Sequence, residues 1–316
     1  MRIGQNPARF VENVAQPAGI TVTVVNCIPF LSGYYEQSLE VLKVVVDSLN
    51  ATREEAHPYD VMLFDNHSCP EVRAYLKEAS DQGKIQYLVL SDTNIGKIGA
   101  WNFMFGAAQG KYVVFADGDI GFRPGWLKAS LELFEAFPNV GMVTARPLPM
   151  PKAYSTATFE WAQQEKVLEE GRFLDRDVFW EHALSIEHRE RGRGTNLPYN
   201  MPRVTYSGRV AYIGATHFQF MAQREILQKI IPLPSEQPMR GERMLDIAVN
   251  RMGYLRLMTE QALVWHMGNR LTTDAQVTVK PGRRSLSKRI LQLPGVRHLL
   301  LGIYNRIFRL YFLNVK

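Results

Sequence analysis

Two cysteines, Cys27 and Cys69, are all that this 316-residue chain contains. A single pair makes no disulfide framework, which excludes the small stapled scaffolds and fits a reducing compartment. No uncharged apolar stretch reaches the roughly 18 residues that a membrane span needs. Met1 to Gly19 is mixed and polar, with no basic stretch leading into an apolar one. A secretory signal is therefore not expected, and a cytoplasmic place is. Acid is missing from one end: Lys280 to Lys316 holds nine Lys or Arg and no Asp or Glu. Taking that +9 from the net +6 leaves about −3 on the body. The basicity thus belongs to the tail, whereas a nucleic-acid binder would carry it on the body as well, so no nucleic-acid partner is expected.

What is present is ordinary for a globular protein: 46% hydrophobic and 22% charged residues, enough to bury a sizeable core. Ile20 to Phe30, Tyr59 to Asp65, Ile85 to Leu90, Lys111 to Ala116 and Val140 to Ala145 read as buried strands. Tyr35 to Leu49, Glu71 to Ser80, Gly99 to Gln109 and Trp126 to Phe137 read as the helices between them. This alternation predicts an α/β fold, a Rossmann-like, mostly parallel sheet with helices on both faces. Ligands of such sheets sit beyond the carboxyl ends of the strands, where Asn26, Asp65, Asp92 and Asp117 would gather. Residues 146–204 break the rhythm and read as an insertion or lid, with a helix expected from Phe159 to Glu170. A strand from Arg209 to Phe220, a helix around Met244 to Met252 and a strand from Leu255 to Trp265 follow.

The strongest local signal is Asp117-Gly118-Asp119 directly after a buried strand. Two carboxylates one residue apart cannot both be buried without partners. On a turn they can hold a hard divalent cation, with a diphosphate supplying further oxygens. Asp175-Arg176-Asp177 has the same spacing, but no apolar strand precedes it and Arg176 stands between the acids; it reads as a solvated face.

Other pieces join this one. They are the turn Asp65-Asn66-His67-Ser68, the run Asn94-Ile95-Gly96-Lys97-Ile98-Gly99-Ala100-Trp101-Asn102, the lead-in Gly110 to Phe115, then Pro124-Gly125, Gly253-Tyr254 and His266. In this order they resemble the family 2 glycosyltransferases over residues 20–145 and 205–270. The resemblance implies a GT-A type fold and an inverting, metal-dependent transfer of sugar from a nucleoside-diphosphate sugar to an acceptor hydroxyl. The acceptor class it implies is a glycan or lipid-linked oligosaccharide. Residue by residue, Asp65, Lys97, Asn102 and Asp117 would bind the nucleotide-sugar, while Asp119 and His266 would ligate Mn2+ or Mg2+. Asp65 also reads as the acid of an Asx turn, Lys97 as a helix-entry surface lysine, and Asn102 as a hydrogen-bonder within its helix.

The family's catalytic acid lies in an E-D pair on the helix that ends in Gly-Tyr. This chain reads Gly241-Glu242-Arg243-Met244-Leu245-Asp246 instead. Glu242 stands at the expected spacing before Gly253, and Asp246 lies one turn further on the same helix face. Both are therefore candidates for the base, Glu242 first. His217 is a candidate contact for acceptor or diphosphate as well as a packed histidine. Trp161, Trp180 and Tyr199 are aromatics of the insertion that fit a core role more readily than a sugar-stacking one.

The expected division is a single GT-A domain over 1–270, with a donor half at 19–145, the insertion at 146–204 and an acceptor half at 205–270. A basic amphipathic helical tail, 271–316, completes the chain. Its stretch 285–316 suits either peripheral contact with an anionic membrane surface or packing on protein. Two enzyme alternatives fit less well, because Asn26 to Phe30 is neither the basic glycine-rich loop of a sugar nucleotidyltransferase nor a dinucleotide-binding G-x-G-x-x-G. A non-catalytic glycan-binding or scaffolding protein of the same fold is the third alternative.

Overall fold

The computed structural model describes residues 3–186, 201–236 and 241–271, together with Arg306. The chain divides into two units, 1–271 and 272–316. The helical tail expected in the second lies outside the described residues, Arg306 apart.

The first unit begins with β1 (Ile20–Asn26), α1 (Ser38–Ala51), β2 (Tyr59–Asn66), α2 (Pro70–Asp81), β3 (Tyr87–Ser91), α3 (Gly96–Ala107) and β4 (Tyr112–Asp117). It continues with β5 (Ile120–Phe122), α4 (Trp126–Ala136), β6 (Val140–Thr144), α5 (Thr156–Gln164), β7 (Leu168–Glu169) and α6 (Arg176–Ser185). Last come β8 (Arg203–Tyr206), β9 (Arg209–Ile213), β10 (Gln219–Gln223), α7 (Arg224–Ile230), α8 (Glu242–Arg251), β11 (Leu255–Thr259) and β12 (Val264–His266). Ten strands form one sheet in the order β3-β2-β1-β4-β10-β6-β11-β9-β8-β7. Strands β3, β2, β1 and β4 are parallel, as are β6 and β11. β10 runs antiparallel between β4 and β6, and β9, β8 and β7 extend the far edge antiparallel.

Alternation along the strands explains why both faces are covered. Val22, Val24, Val61, Leu63 and Val114 pack with α1, α2 and α4 in one core. Met62, Phe64, Val113, Phe115 and Phe220 pack with α3, α7 and α8 in the other. Strands apolar on both sides are the continuous β-branched runs visible in the sequence.

Four boundaries differ from the sequence-based expectation. β1 ends at Asn26, and the first insertion helix stops at Gln164. The stretch Arg209 to Phe220 is two strands, because at Gly214 (φ +128°) the chain leaves the β11 edge and re-enters between β4 and β6. Leu255 to Trp265 is also two strands. A turn in which the Thr259 hydroxyl donates to the Gln261 carbonyl (2.7 Å) ends β11, and β12 then pairs with β5 outside the main sheet. Among the described residues, no helix is long and apolar enough to cross a membrane.

Candidate active site

Parallel register sets the carboxyl ends of three strands side by side, pairing Asn26 with Asp65 and Val25 with Asp117. β4 stops at Asp117, and Gly118-Asp119 turns the chain into β5. There Ile120 pairs with His266, and the Met267 amide donates to the Asp119 carbonyl (2.9 Å). Gly121 permits this close pairing, since a Cβ there would stand 2.3 Å from the Trp265 ring. A histidine far along the chain is thus delivered to the aspartate turn by a two-stranded ribbon.

His266 Nε2 lies 3.3 Å from Asp119 Oδ2. Two ligand atoms at right angles on a cation with bonds of about 2.1 Å stand about 3.0 Å apart, close to that spacing. Asp119 Oδ1 is buried without a hydrogen-bond partner. Burial, with neighbouring Asp117 second, pushes the Asp119 carboxyl up to about 7, while burial holds the His266 imidazole below its usual range. An oxygen and a nitrogen so placed fit a divalent cation. Among the described residues, no three His, Cys, Asp or Glu side chains converge as a complete metal site.

Asp117 is held by Lys97, whose Nζ stands 2.7 Å from Oδ1 and 2.8 Å from Oδ2. Gly96 (φ +73°) turns the chain into α3 just before that lysine. Asp117 and Asp119 line a cavity of about 250 Å³ together with Asn26, Cys27, Tyr35 and Asn269. Burial, and Asp65 beside it, push the Cys27 thiol up to about 11, so it is no thiolate nucleophile at neutral pH.

Asp65 does not face this cavity. It is fully buried, and its oxygens accept from Asn26 Nδ2 (3.3 Å), the Ser68 amide (3.2 Å) and Arg73 Nε (3.0 Å). In this arrangement Asp65 shapes the wall through Asn26 and the turn at His67 (φ +70°). Asn102 is engaged with backbone. Its amide donates to and accepts from the Leu233 backbone at 2.8 Å each way, clipping α3 to the segment after α7. Asp246 is buried in an ion pair with Arg256, which is itself fully buried, so its charge is already spent. Its second oxygen faces His217 Nδ1 at 3.6 Å. Glu242 is buried at the first turn of α8, whose entry at Gly241 presses on Ile98, the residue after Lys97.

Residues 33–230, well over half of the chain, match the model described as glycosyl transferase family 2. The chain belongs to this family. No curated relative matches the family 2 chain in sequence. Among solved structures it is similar to S. aureus TarS 1-349, at 14% identity and a TM-score of 0.48, over 78% of this chain and 60% of that one. It is also similar to the mannosyltransferase PcManGT from Pyrobaculum calidifontis, solved with GDP-Man and Mn2+. That likeness is 14% identity and a TM-score of 0.45, over 80% of this chain and 59% of that one. The chain spans about 60% of the length of these structures. The fold seen here is the GT-A type.

Helix α6 adds an element that the solvated-face reading of Asp175-Arg176-Asp177 did not include. Asp175 is not merely solvated: its side chain accepts from the Asp177 amide (2.7 Å) and caps α6. An N-cap aspartate followed by acid in the first turn was a helix-start signal in the sequence. α6 brings Glu181 to Arg123 and Arg146, and Ser185 Oγ to within 2.9 Å of His266 Nδ1. Arg73, the partner of Asp65, carried no such signal. Trp161 packs between Phe137 and Tyr206 in a separate core cluster, and Trp180 packs edge-on to Phe179. Tyr199 lies outside the described residues.

Proposed function

We propose that this family 2 protein transfers a sugar from a nucleoside-diphosphate sugar to an acceptor hydroxyl, with inversion and with a divalent cation. What supports the reading most is the pair Asp119 Oδ2 and His266 Nε2, two acceptor atoms 3.3 Å apart beside a cavity. Manganese is favoured over magnesium because one of the two ligands is a nitrogen. The cation, when bound, neutralises charge on the departing diphosphate. The chain's own groups do the rest. Lys97 and Asp117 orient the donor beside the turn, and Asn26 and Cys27 line its nucleoside end. Glu242 takes the proton of the acceptor hydroxyl as that oxygen attacks the sugar carbon from the face opposite the diphosphate. Asp246 is a helper only, since Arg256 already claims its charge.

Glycan or lipid-linked saccharide is the acceptor class in this reading, as in cell-surface polysaccharide synthesis. The reaction is placed at the cytoplasmic face, with the basic stretch 285–316 as the contact to an anionic membrane. The domain reading is one catalytic body over 1–270, in which 19–145 serves the donor, 205–270 the acceptor and 146–204 the rim between them.

The test is donor cleavage, with and without Mn2+, over a panel of UDP- and GDP-sugars. Asp119→Ala is expected to lower turnover about a thousandfold with the fold intact, a loss of the size seen when one charge-stabilising group is removed from an active site. Normal turnover in that variant, or turnover indifferent to chelation, would sink the metal role. Glu242→Gln is expected to lose transfer while keeping Mn2+-dependent nucleotide binding.

A further inference from the structure

A proton count around Ser185 says more than the distances alone. Its hydroxyl has one hydrogen, and the His182 carbonyl, 2.7 Å away, takes it. Toward His266 Nδ1, at 2.9 Å, the same oxygen is then left to accept, so Nδ1 carries the imidazole hydrogen. The neutral ring therefore turns a bare lone pair at Nε2 toward Asp119 Oδ2. Two acceptors face to face at 3.3 Å repel unless a proton or a metal cation sits between them. Ser185 thus sets the one tautomer in which His266 can ligate.

The surroundings hold Ser185 to that task. The last turn of α6 presses its Ser185 carbonyl onto Gly268, where a Cβ would stand 2.7 Å away. One turn earlier, Glu181 reaches Arg123 Nη2 (2.6 Å) and Arg146 Nη1 (3.0 Å). Arg146, fully buried, also donates to the Val264 carbonyl (3.0 Å) in β12, the strand that carries His266. One arginine therefore ties the helix bearing Ser185 to the strand bearing His266. His182 stacks on Phe218, whose carbonyl receives the Asp117 amide (2.9 Å).

We propose that Ser185 is a positioning residue for His266, so that helix α6, part of the insertion 146–204, is a working wall of the cation site and not only a lid over it. The inference rests on the reading that Asp119 and His266 hold a divalent cation. A hydrogen-bonding partner behind a metal-bound histidine typically contributes ten- to a hundredfold in metal affinity.

The experiment titrates Mn2+ into the full chain, following free Mn2+ by electron paramagnetic resonance, alone and with UDP or GDP. Wild type is expected to bind, and His266→Ala to lose binding. Ser185→Ala is expected to weaken Mn2+ at least tenfold with an unchanged melting temperature in the metal-free state. Ser185→Thr, which keeps the hydroxyl, is expected to stay within about threefold of wild type. Equal Mn2+ affinity in Ser185→Ala and wild type overturns the inference, as does a Thr variant as weak as Ala. If wild type and His266→Ala alike fail to bind Mn2+ under all three conditions, the cation reading itself falls, and this inference with it.

Discussion

Two acids of this molecule are buried in opposite ways. Asp246, in α8, faces the fully buried Arg256, and the pair neutralises itself inside the fold. Asp119, on the turn after β4, faces a histidine nitrogen and a second aspartate, and nearby Lys97 is taken by Asp117. The first arrangement completes its own electrostatics and belongs to the architecture. The second leaves a charge to be matched from outside, which is what a binding site for a cation and a diphosphate requires. Burial alone does not mark a functional acid.

Three outcomes would break or sharpen that contrast. The largest concerns Asp246→Ala, which strands the Arg256 guanidinium without its carboxylate. It should cost about 3–5 kcal/mol in urea unfolding, by an amount that added Mn2+ does not change. A loss below about 1 kcal/mol would show that Arg256 finds its neutralisation elsewhere. Asp119→Asn, without divalent ions, should act in the opposite direction. The carboxyl is raised from 3.8 to about 7, so the folded state binds more protons than the unfolded one across that window. Stability is thus expected to fall as pH rises from about 4 through 7, and the Asn variant escapes the loss. Thermal melts at pH 4 should coincide for the two proteins, with the variant melting higher at pH 8; coincident melts at pH 8 would mean Asp119 is already compensated. The smallest effect belongs to Asn102→Ala, which removes two hydrogen bonds to Leu233. About 1–3 kcal/mol of stability should go, with nucleotide binding unaltered. A selective loss of nucleotide binding would place Asn102 at the donor.

Much of the scaffold was legible because the parallel half of the sheet is apolar on both faces, and its strands therefore stand out as continuous runs. β1, β2, β4 and β6 fall within a few residues of their expected limits for that reason. The aspartate turn was legible too, since two acids set directly after a buried strand demand a counter-charge. Less visible were the places where one apolar run serves two strands. Arg209 to Phe220 and Leu255 to Trp265 each change sheet partner midway, and hydrophobicity does not record which partner a strand takes. α6 was hidden for a different reason. Its buried surface is small, Ala183 being its one buried residue, so it has no apolar stripe and is held by Glu181 instead.

The sequence by itself determined the alternating layers, the acid-bearing rim and the family, because these depend on local pattern and order along the chain. Only the tertiary structure decided which acids are spent and which are open. Asp65 and Asp246 meet arginines, Arg73 and Arg256, while Asp119 meets a histidine delivered by the β5–β12 ribbon. A carboxylate's availability is set by the charge standing opposite it. That neighbour is a matter of strand register and helix docking, which no local stretch of residues encodes.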